Sequence, residues 1–365
     1  MGIYIHDIVT ANPETSTDQI TIRNLMKEGL GKDRLTQAII HRLYSQSGIN
    51  KRYTFLNYLH KDSADTFVER ALSVDDQPTT YERNEIYKIE ASKLFLEIGE
   101  KLLDQNPSIQ KKDITHVITV SCTGFYAPGP DFDVVQGLGL SPNTHRFHLG
   151  FMGCYAALPA LKMAKSFCEA DADATVLVIC NELCTLHLQN KSDSDSLIAF
   201  SVFADGAAGA LVSTKQPAKR GYDMVDFATS LAYEGEKDMA WTIGNTGFNM
   251  ILSSYVPDII ASNLENVLAP LFEKLSISKN DVDLWAVHPG GRAIVDKVEQ
   301  GMELSENQVS ASRKVLAEFG NMSSVTVLFV LKEILNSKPE AGSTVLPMAF
   351  GPGLTIESGL LKVTS

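Results

Sequence analysis

Gly150-Phe-Met-Gly-Cys-Tyr-Ala-Ala-Leu-Pro-Ala-Leu161 changes character at Cys154. Two glycines frame a strand-to-helix turn, and an Ala/Leu-rich helical pattern runs from Cys154 to Cys168. A glycine immediately before the cysteine lets backbone amides approach a bound group closely. A helix starting at the cysteine presents its positive end and free N–H groups. Both effects favour thiolate over thiol, which a nucleophilic cysteine needs. The competing reading is a small buried apolar residue, the ordinary role of an isolated cysteine.

On either side of this turn the chain alternates two textures. Ile114–Cys122 is a short, β-branched, apolar run of the kind found in buried strands, and Val176–Cys180, Ala207–Val212, Leu284–Val287 and Val345–Phe350 repeat it. Helical patterns at Cys154–Cys168, Val256–Leu275, Val309–Phe319 and Ser323–Ile334 separate most of these runs. That alternation predicts an α/β fold with largely buried sheets. The series runs once before and once after about residue 225, which fits a duplicated two-sheet core. Upstream, residues 2–9 alternate as a strand, and 17–104 read as mostly helical, with a loop around Asp75–Thr80. Ile86, Ile89, Leu94, Ile98 and Leu102 form an amphipathic helix pattern.

With 365 residues, 44% of them apolar, the chain can bury a large core, as two domains or one duplicated domain. A formal net charge of −12 argues against a nucleic-acid or anionic-membrane partner, each of which needs a basic footprint. The five cysteines (122, 154, 168, 180 and 184) include no paired spacing, so a reduced, cytoplasmic protein is expected. Cys180 and Cys184 lack the second ligand pair of a zinc site, and no metal is expected. Neither a signal peptide nor a membrane span is expected. His6 stands where a myristoylation signal requires Ser or Thr.

Three further motifs carry chemistry. His288 closes the run Leu-Trp-Ala-Val and opens Pro-Gly-Gly, at a strand end where α/β proteins place ligands. It can serve as a base for a thiol or a donor to a carbonyl, or be a plainly hydrogen-bonded histidine. The other seven histidines, His6, His41, His60, His116, His145, His148 and His187, lack that context. Asn321, in Gly320-Asn-Met-Ser-Ser, reads as a helix N-cap or as an oxyanion donor. Gly351-Pro352-Gly353 makes a rigid turn between two strands, either a bare hairpin or a backbone wall along a pocket.

Taken in order, Gly153-Cys154, His288-Pro-Gly-Gly, Gly320-Asn321-Met-Ser-Ser and Phe350-Gly-Pro-Gly-Leu-Thr resemble the type III polyketide synthases. These are the chalcone/stilbene-synthase-like branch of the thiolase superfamily. Phe203-Ala-Asp-Gly-Ala-Ala matches the family's entry to its second sheet, and the resemblance spans about residues 2–363. It implies a thiolase-like duplicated αβαβα layered core. One half, 1–225, would carry the cysteine, and the other, 226–365, the histidine and asparagine. It implies an acyltransferase that loads an acyl starter from acyl-CoA onto Cys154 and extends it by decarboxylative Claisen condensation with malonyl-CoA. The polyketide is then cyclised or released. His288 and Asn321 would hold the thioester oxygen and the enolate, and Phe203 and Phe248 would be gatekeepers. His187, Cys184, Ala199, Ser323, Gly351, Pro352 and Gly353 would line the substrate pocket. The family works as homodimers on free CoA thioesters, which are substrates, and uses no metal or redox cofactor.

The chain departs from the chalcone-type pattern at positions that shape starter choice and chain length. His187 replaces a small Thr, Ala199 a Gly, and Ala127 a Met on the loop that crosses the dimer. His187 would either narrow the starter pocket or donate a hydrogen bond within it. Gln46 and Asn50 stand where the family has cations for CoA, leaving Arg42, Lys51, Arg52 and the unusual Arg292 as candidate phosphate ligands. Three alternatives share parts of the pattern: a ketoacyl-acyl-carrier-protein synthase III, a Cys-His-Asn hydrolase and a noncatalytic homologue. The Gly-Pro-Gly-Leu-Thr and His-Pro-Gly-Gly motifs favour the polyketide reading over the first. The mid-chain cysteine argues against a papain-like hydrolase.

Overall fold

The computed structural model describes residues 2–56 and 66–365, so His60 lies outside the described residues. The chain opens with β1 (Tyr4–Ala11), β2 (Ser16–Asp18), α1 (Gln19–Leu30), α2 (Arg34–Gln46), β3 (Lys51–Tyr53), α3 (Phe67–Ala71) and α4 (Thr80–Gln105). It continues through β4 (His116–Ser121), α5 (Pro130–Gly137), β5 (His145–Gly150), α6 (Ala157–Ala170), β6 (Thr175–Leu183), α7 (Ser194–Val202) and β7 (Asp205–Ser213). After a turn come β8 (Tyr222–Leu231), β9 (Met239–Gly244), β10 (Gly247–Leu252), α8 (Val256–Leu275), β11 (Leu284–Val287) and α9 (Arg292–Gly301). The chain ends with α10 (Glu306–Phe319), α11 (Thr326–Asn336), β12 (Thr344–Gly351) and β13 (Thr355–Val363).

Strand alternation explains the layering. On β6, Val176, Val178 and Cys180 enter one core while Leu177 and Ile179 enter another. On β11 and β12, Ala286, Val345 and Ala349 enter the first core while Trp285, Val287, Leu346 and Met348 enter a third. The shared core also takes Ala157, Leu158 and Leu161 of α6 and Val327, Leu328 and Leu331 of α11. Those two helices therefore lie between the two sheet halves. Tyr87, Ala91, Phe95, Ile98 and Leu102 of α4 cover one outer face, and Ile260, Leu264 and Leu268 of α8 the other. The result is the five-layer α/β/α/β/α order, whose central strands β6 and β7 are buried on both faces.

The two expected sheets are joined. One nine-stranded sheet runs β11-β12-β13-β8-β1-β7-β6-β4-β5, and its halves meet where β1 pairs with β8 through Tyr4–Asp223 and Ile5–Tyr222. The boundary expected at 225/226 falls inside β8, and residues 214–221 form the turn before that strand.

Other differences have local causes. The helix expected from Asn84 to Leu103 starts earlier, at Thr80, because Thr79 and Glu82 close a capping box ahead of it. Its buried face is rotated from the sequence pattern: Ile89 is 60% exposed, while Tyr87 and Phe95 are fully buried. The polar stretch 17–104 also contains β2 and β3, which pair Ser16–Tyr53 through Asp18–Lys51. The hairpin β9–β10 stands apart from the main sheet.

Candidate active site

Cys154 does not start a helix. It lies in a turn between β5 and α6, three residues before Ala157. Phe151 (φ 60°) and Gly153 (φ 92°) both occupy left-handed backbone there. A Cβ on Gly153 would stand 2.4 Å from Pro352 Cδ, so this position and the Gly-Pro-Gly turn fit only with glycine at 153. Gly351 serves the same end, since a Cβ there would meet the Tyr155 ring at 2.2 Å.

His288 ends β11 with its backbone N–H bonded to Met348 O at 2.7 Å, and its ring is 1% exposed with neither nitrogen hydrogen-bonded. Asn321 is no helix residue. It forms an isolated bridge with Phe203, and its Oδ1 accepts the Ser323 N–H at 2.8 Å, as a capping side chain does. Its Nδ2 donates to Gly290 O at 3.1 Å, which leaves the second N–H of the amide for a ligand.

Cys154, His288, Asn321 and Phe203 line one cavity of about 560 Å³. Arg42, Gln46 and Arg292 line it too, together with apolar groups such as Ile198, Met250 and Leu252. Phe203 also borders two small inner cavities. One, of about 30 Å³, is lined by Cys122, Cys154, Cys184, Ser323 and Pro352. The other, of about 40 Å³, is lined by Cys184, His187, Ala199, Trp241 and Phe248. Gly351 and Gly353 face none of these three spaces.

Burial dominates the electrostatics. It pushes the Cys154 thiol up to about 12, against hydrogen bonding from the Ser323 and Asn321 side chains, and pulls His288 down to about 3. The thiolate expected from the helix end is therefore opposed by desolvation, and the helix end itself is displaced. Either charge alone is disfavoured in this cavity.

His187 is settled by its partners. The Phe248 N–H donates to Nδ1 at 3.1 Å, so the ring proton sits on Nε2, which donates to Thr123 O at 2.8 Å. Both nitrogens are spent on backbone, and the side chain has no hydrogen bond to offer a starter.

The four candidate phosphate ligands separate. Arg42 and Arg292 line the large cavity. Arg52 does not reach it: at 4% exposure, its guanidinium bonds Gln19 Oε1 at 2.9 Å, Phe200 O at 2.9 Å and Phe203 O at 2.5 Å. Lys51 pairs with Glu318 at 3.5 Å, away from the cavity lining.

Glu182, at the end of β6, was not singled out from the sequence. It is fully buried and accepts bonds from Cys122 N–H at 2.9 Å, Thr123 Oγ1 at 3.1 Å and Ser324 Oγ at 2.6 Å. Burial pushes its carboxyl up to about 7 against those bonds. A raised carboxyl means that the folded chain holds this proton longer than the unfolded chain. The linked stability is full below about pH 4 and is lost as pH rises toward 7, by roughly 3 kcal/mol. Glutamine can keep the acceptor at Oε2 and donate to Ser324. Urea unfolding between pH 5 and 8 should thus show a smaller stability loss for Glu182→Gln than for the parent chain; equal losses would exclude a proton on Glu182.

The profile described as "Chalcone and stilbene synthases, N-terminal domain" matches residues 4–216, and its C-terminal counterpart matches residues 224–365. Among solved structures, PKS-I from the brown alga Ectocarpus siliculosus superposes with a TM-score of 0.90 at 28% identity, covering 99% of this chain and 98% of that one. The C-terminal type III polyketide synthase domain of Steely1, a type I/III hybrid from Dictyostelium, superposes with a TM-score of 0.92 at 26% identity, covering 100% of both chains. The chain belongs to the chalcone and stilbene synthase family and is a type III polyketide synthase, an acyltransferase of the condensing kind.

Proposed function

We propose that Cys154 carries the growing acyl chain and that His288 and Asn321 hold the oxygen on which negative charge develops. The observation that carries this reading is the presence of all three on one cavity, with both His288 nitrogens buried and unpartnered. In loading, the Cys154 sulfur bonds to the acyl carbon, the CoA sulfur leaves, and the thiol proton passes through His288 to the departing thiolate. In extension, malonyl-CoA loses CO2, and the electron pair enters an enolate whose oxygen lies between His288 and Asn321. The enolate carbon then bonds to the acyl carbon, and Cys154 departs as thiolate. Since burial disfavours each charge alone, Cys154 and His288 change charge together by passing one proton, as a coupled pair.

The large cavity would take the pantetheine arm, with Arg42 and Arg292 at the CoA phosphates. Phe203 and Phe248 would close the inner side, and the small inner spaces favour short products over long folded chains. No metal or redox group is required by these steps, and acyl-CoA and malonyl-CoA are the substrates. Among the described residues no helix is long and apolar enough to cross a membrane. We divide the chain at 214–221, between the cysteine-bearing half and the half that carries His288 and Asn321. A second copy would pair with β5, whose only strand partner among the described residues is β4 and whose free edge would otherwise invite uncontrolled pairing. Phe132, Phe125 and Ile89 are exposed on this half.

Four measurements test these assignments. Incubation with malonyl-CoA and a panel of aromatic, short and long acyl-CoAs should give extended products by mass spectrometry, and Cys154→Ala should abolish loading of radiolabelled acyl-CoA. Loading that survives in this variant would remove Cys154 from the mechanism. Alkylation of Cys154 by iodoacetamide at pH 7.5 should slow at least about tenfold in His288→Ala, a rise of roughly 1.4 kcal/mol in the barrier. An unchanged rate would mean that His288 does not take the proton. Sedimentation equilibrium should return the mass of two chains, and a single-chain mass would refute the dimer.

A further inference from the structure

We infer that His187 is a positioning residue, which holds the gate residue Phe248 through its backbone and so keeps decarboxylation coupled to carbon–carbon bond formation. The inference rests on the assignment of Phe248 to the gate.

The hairpin β9–β10 carries Phe248 and shares no strand pairing with the main sheet. Thr80 N–H donates to Asn245 O at 2.8 Å, Gln189 Nε2 donates to Phe248 O at 2.8 Å, and further side chains tie the hairpin to the loop after β4. Phe248 N–H donates to His187 Nδ1 at 3.1 Å, and His187 Nε2 donates to Thr123 O at 2.8 Å. One ring therefore bridges the hairpin to the loop after β4. The His187 and Phe248 rings also stack at 4.0 Å and 14°. Trp241 of β9 stands edge-on to both and donates to Cys122 O at 2.9 Å. Gly153, the residue before the nucleophile, donates its N–H to Cys122 Sγ at 3.0 Å. The gate is thus tied to the same short loop that supports the Cys154 turn.

A histidine at 187 is suited to this work because it is neutral. Burial holds it down to about 3, so Nδ1 stays an acceptor at working pH. Without that acceptor the Phe248 amide loses its partner, and the Phe248 strand loosens against Thr123 while Trp241 still holds the other strand at Cys122. Water then reaches the enolate. Its carbon takes a proton, and malonyl-CoA becomes acetyl-CoA and CO2 with no new carbon–carbon bond.

Two substitutions separate this role from simple space-filling. His187→Leu nearly conserves volume and removes both hydrogen bonds. His187→Asn is smaller but keeps an acceptor near the Nδ1 position for the Phe248 amide. If space decides, the asparagine variant disturbs the enzyme more; if the bond decides, the leucine variant does. The readout is CO2 released from carboxyl-labelled malonyl-CoA per extension found in product. The ratio should lie near one in the parent chain and rise at least about threefold in His187→Leu, with the asparagine variant recovering most of the coupling. Hydrogen exchange over residues 239–252, read by mass spectrometry, should speed up in the same order. It is measured on His187→Thr as well, so the result does not hang on one variant folding. A leucine variant as coupled and as protected as the parent, or an asparagine variant worse than leucine, overturns the inference. A parent chain that releases CO2 without extension would instead overturn the condensing role itself.

Discussion

Helices α6 and α11 are buried between two sheet halves, and the rest of the molecule follows from that confinement. Residues such as Ala157, Leu161, Val327 and Leu331 are fully buried because each helix has strands on both sides. Only small and branched apolar side chains fit such a layer at protein density. The segments that lead into both helices border the large cavity. The turn before α6 delivers Cys154, and the short segment before α11 delivers Asn321. His288 arrives from the end of β11. Three residues far apart in sequence converge because the layer that carries two of them has nowhere else to go.

The same confinement sets the chemistry. A site this dry makes each isolated charge costly: burial favours the neutral forms of Cys154, His288 and His187 and raises the Glu182 carboxyl to about 7. Neutral donors in a water-poor cavity suit an enolate that must survive until it meets an acyl carbon.

Much of this was legible in the sequence. The apolar runs at 176–180 and 284–287 mark strands with two buried faces, and the glycine-framed Cys154 marks the turn. What escaped did so for physical reasons. β5, His145-Arg-Phe-His-Leu-Gly, is an edge strand with polar residues, so it lacks the texture of its neighbours. Glu182 follows the apolar run of β6, and only the tertiary fold shows that its donors come from the loop after β4 and the segment before α11. Gly244-Asn-Thr-Gly247 is a turn signal that could have disclosed the β9–β10 hairpin. The role of His187 was beyond the sequence, since its partners lie 61 and 64 residues away. Arg52 reads as a candidate phosphate ligand in sequence, yet its guanidinium serves the carbonyls of Phe200 and Phe203.

That last contact has a wider implication, because Phe203 is also the bridge partner of Asn321. Val202 O accepts the Asn321 N–H at 2.9 Å, and Ala204 N–H donates to Asn321 O at 2.8 Å. The proposed gate residue and the proposed oxyanion donor thus share one stretch of backbone. A change of side chain at 203 can alter which molecules fit, but a change that moves its main chain carries Asn321 with it. Substrate range and turnover are in this sense mechanically linked, and divergence toward new products would run more easily through the walls around Phe203 than through Phe203 itself.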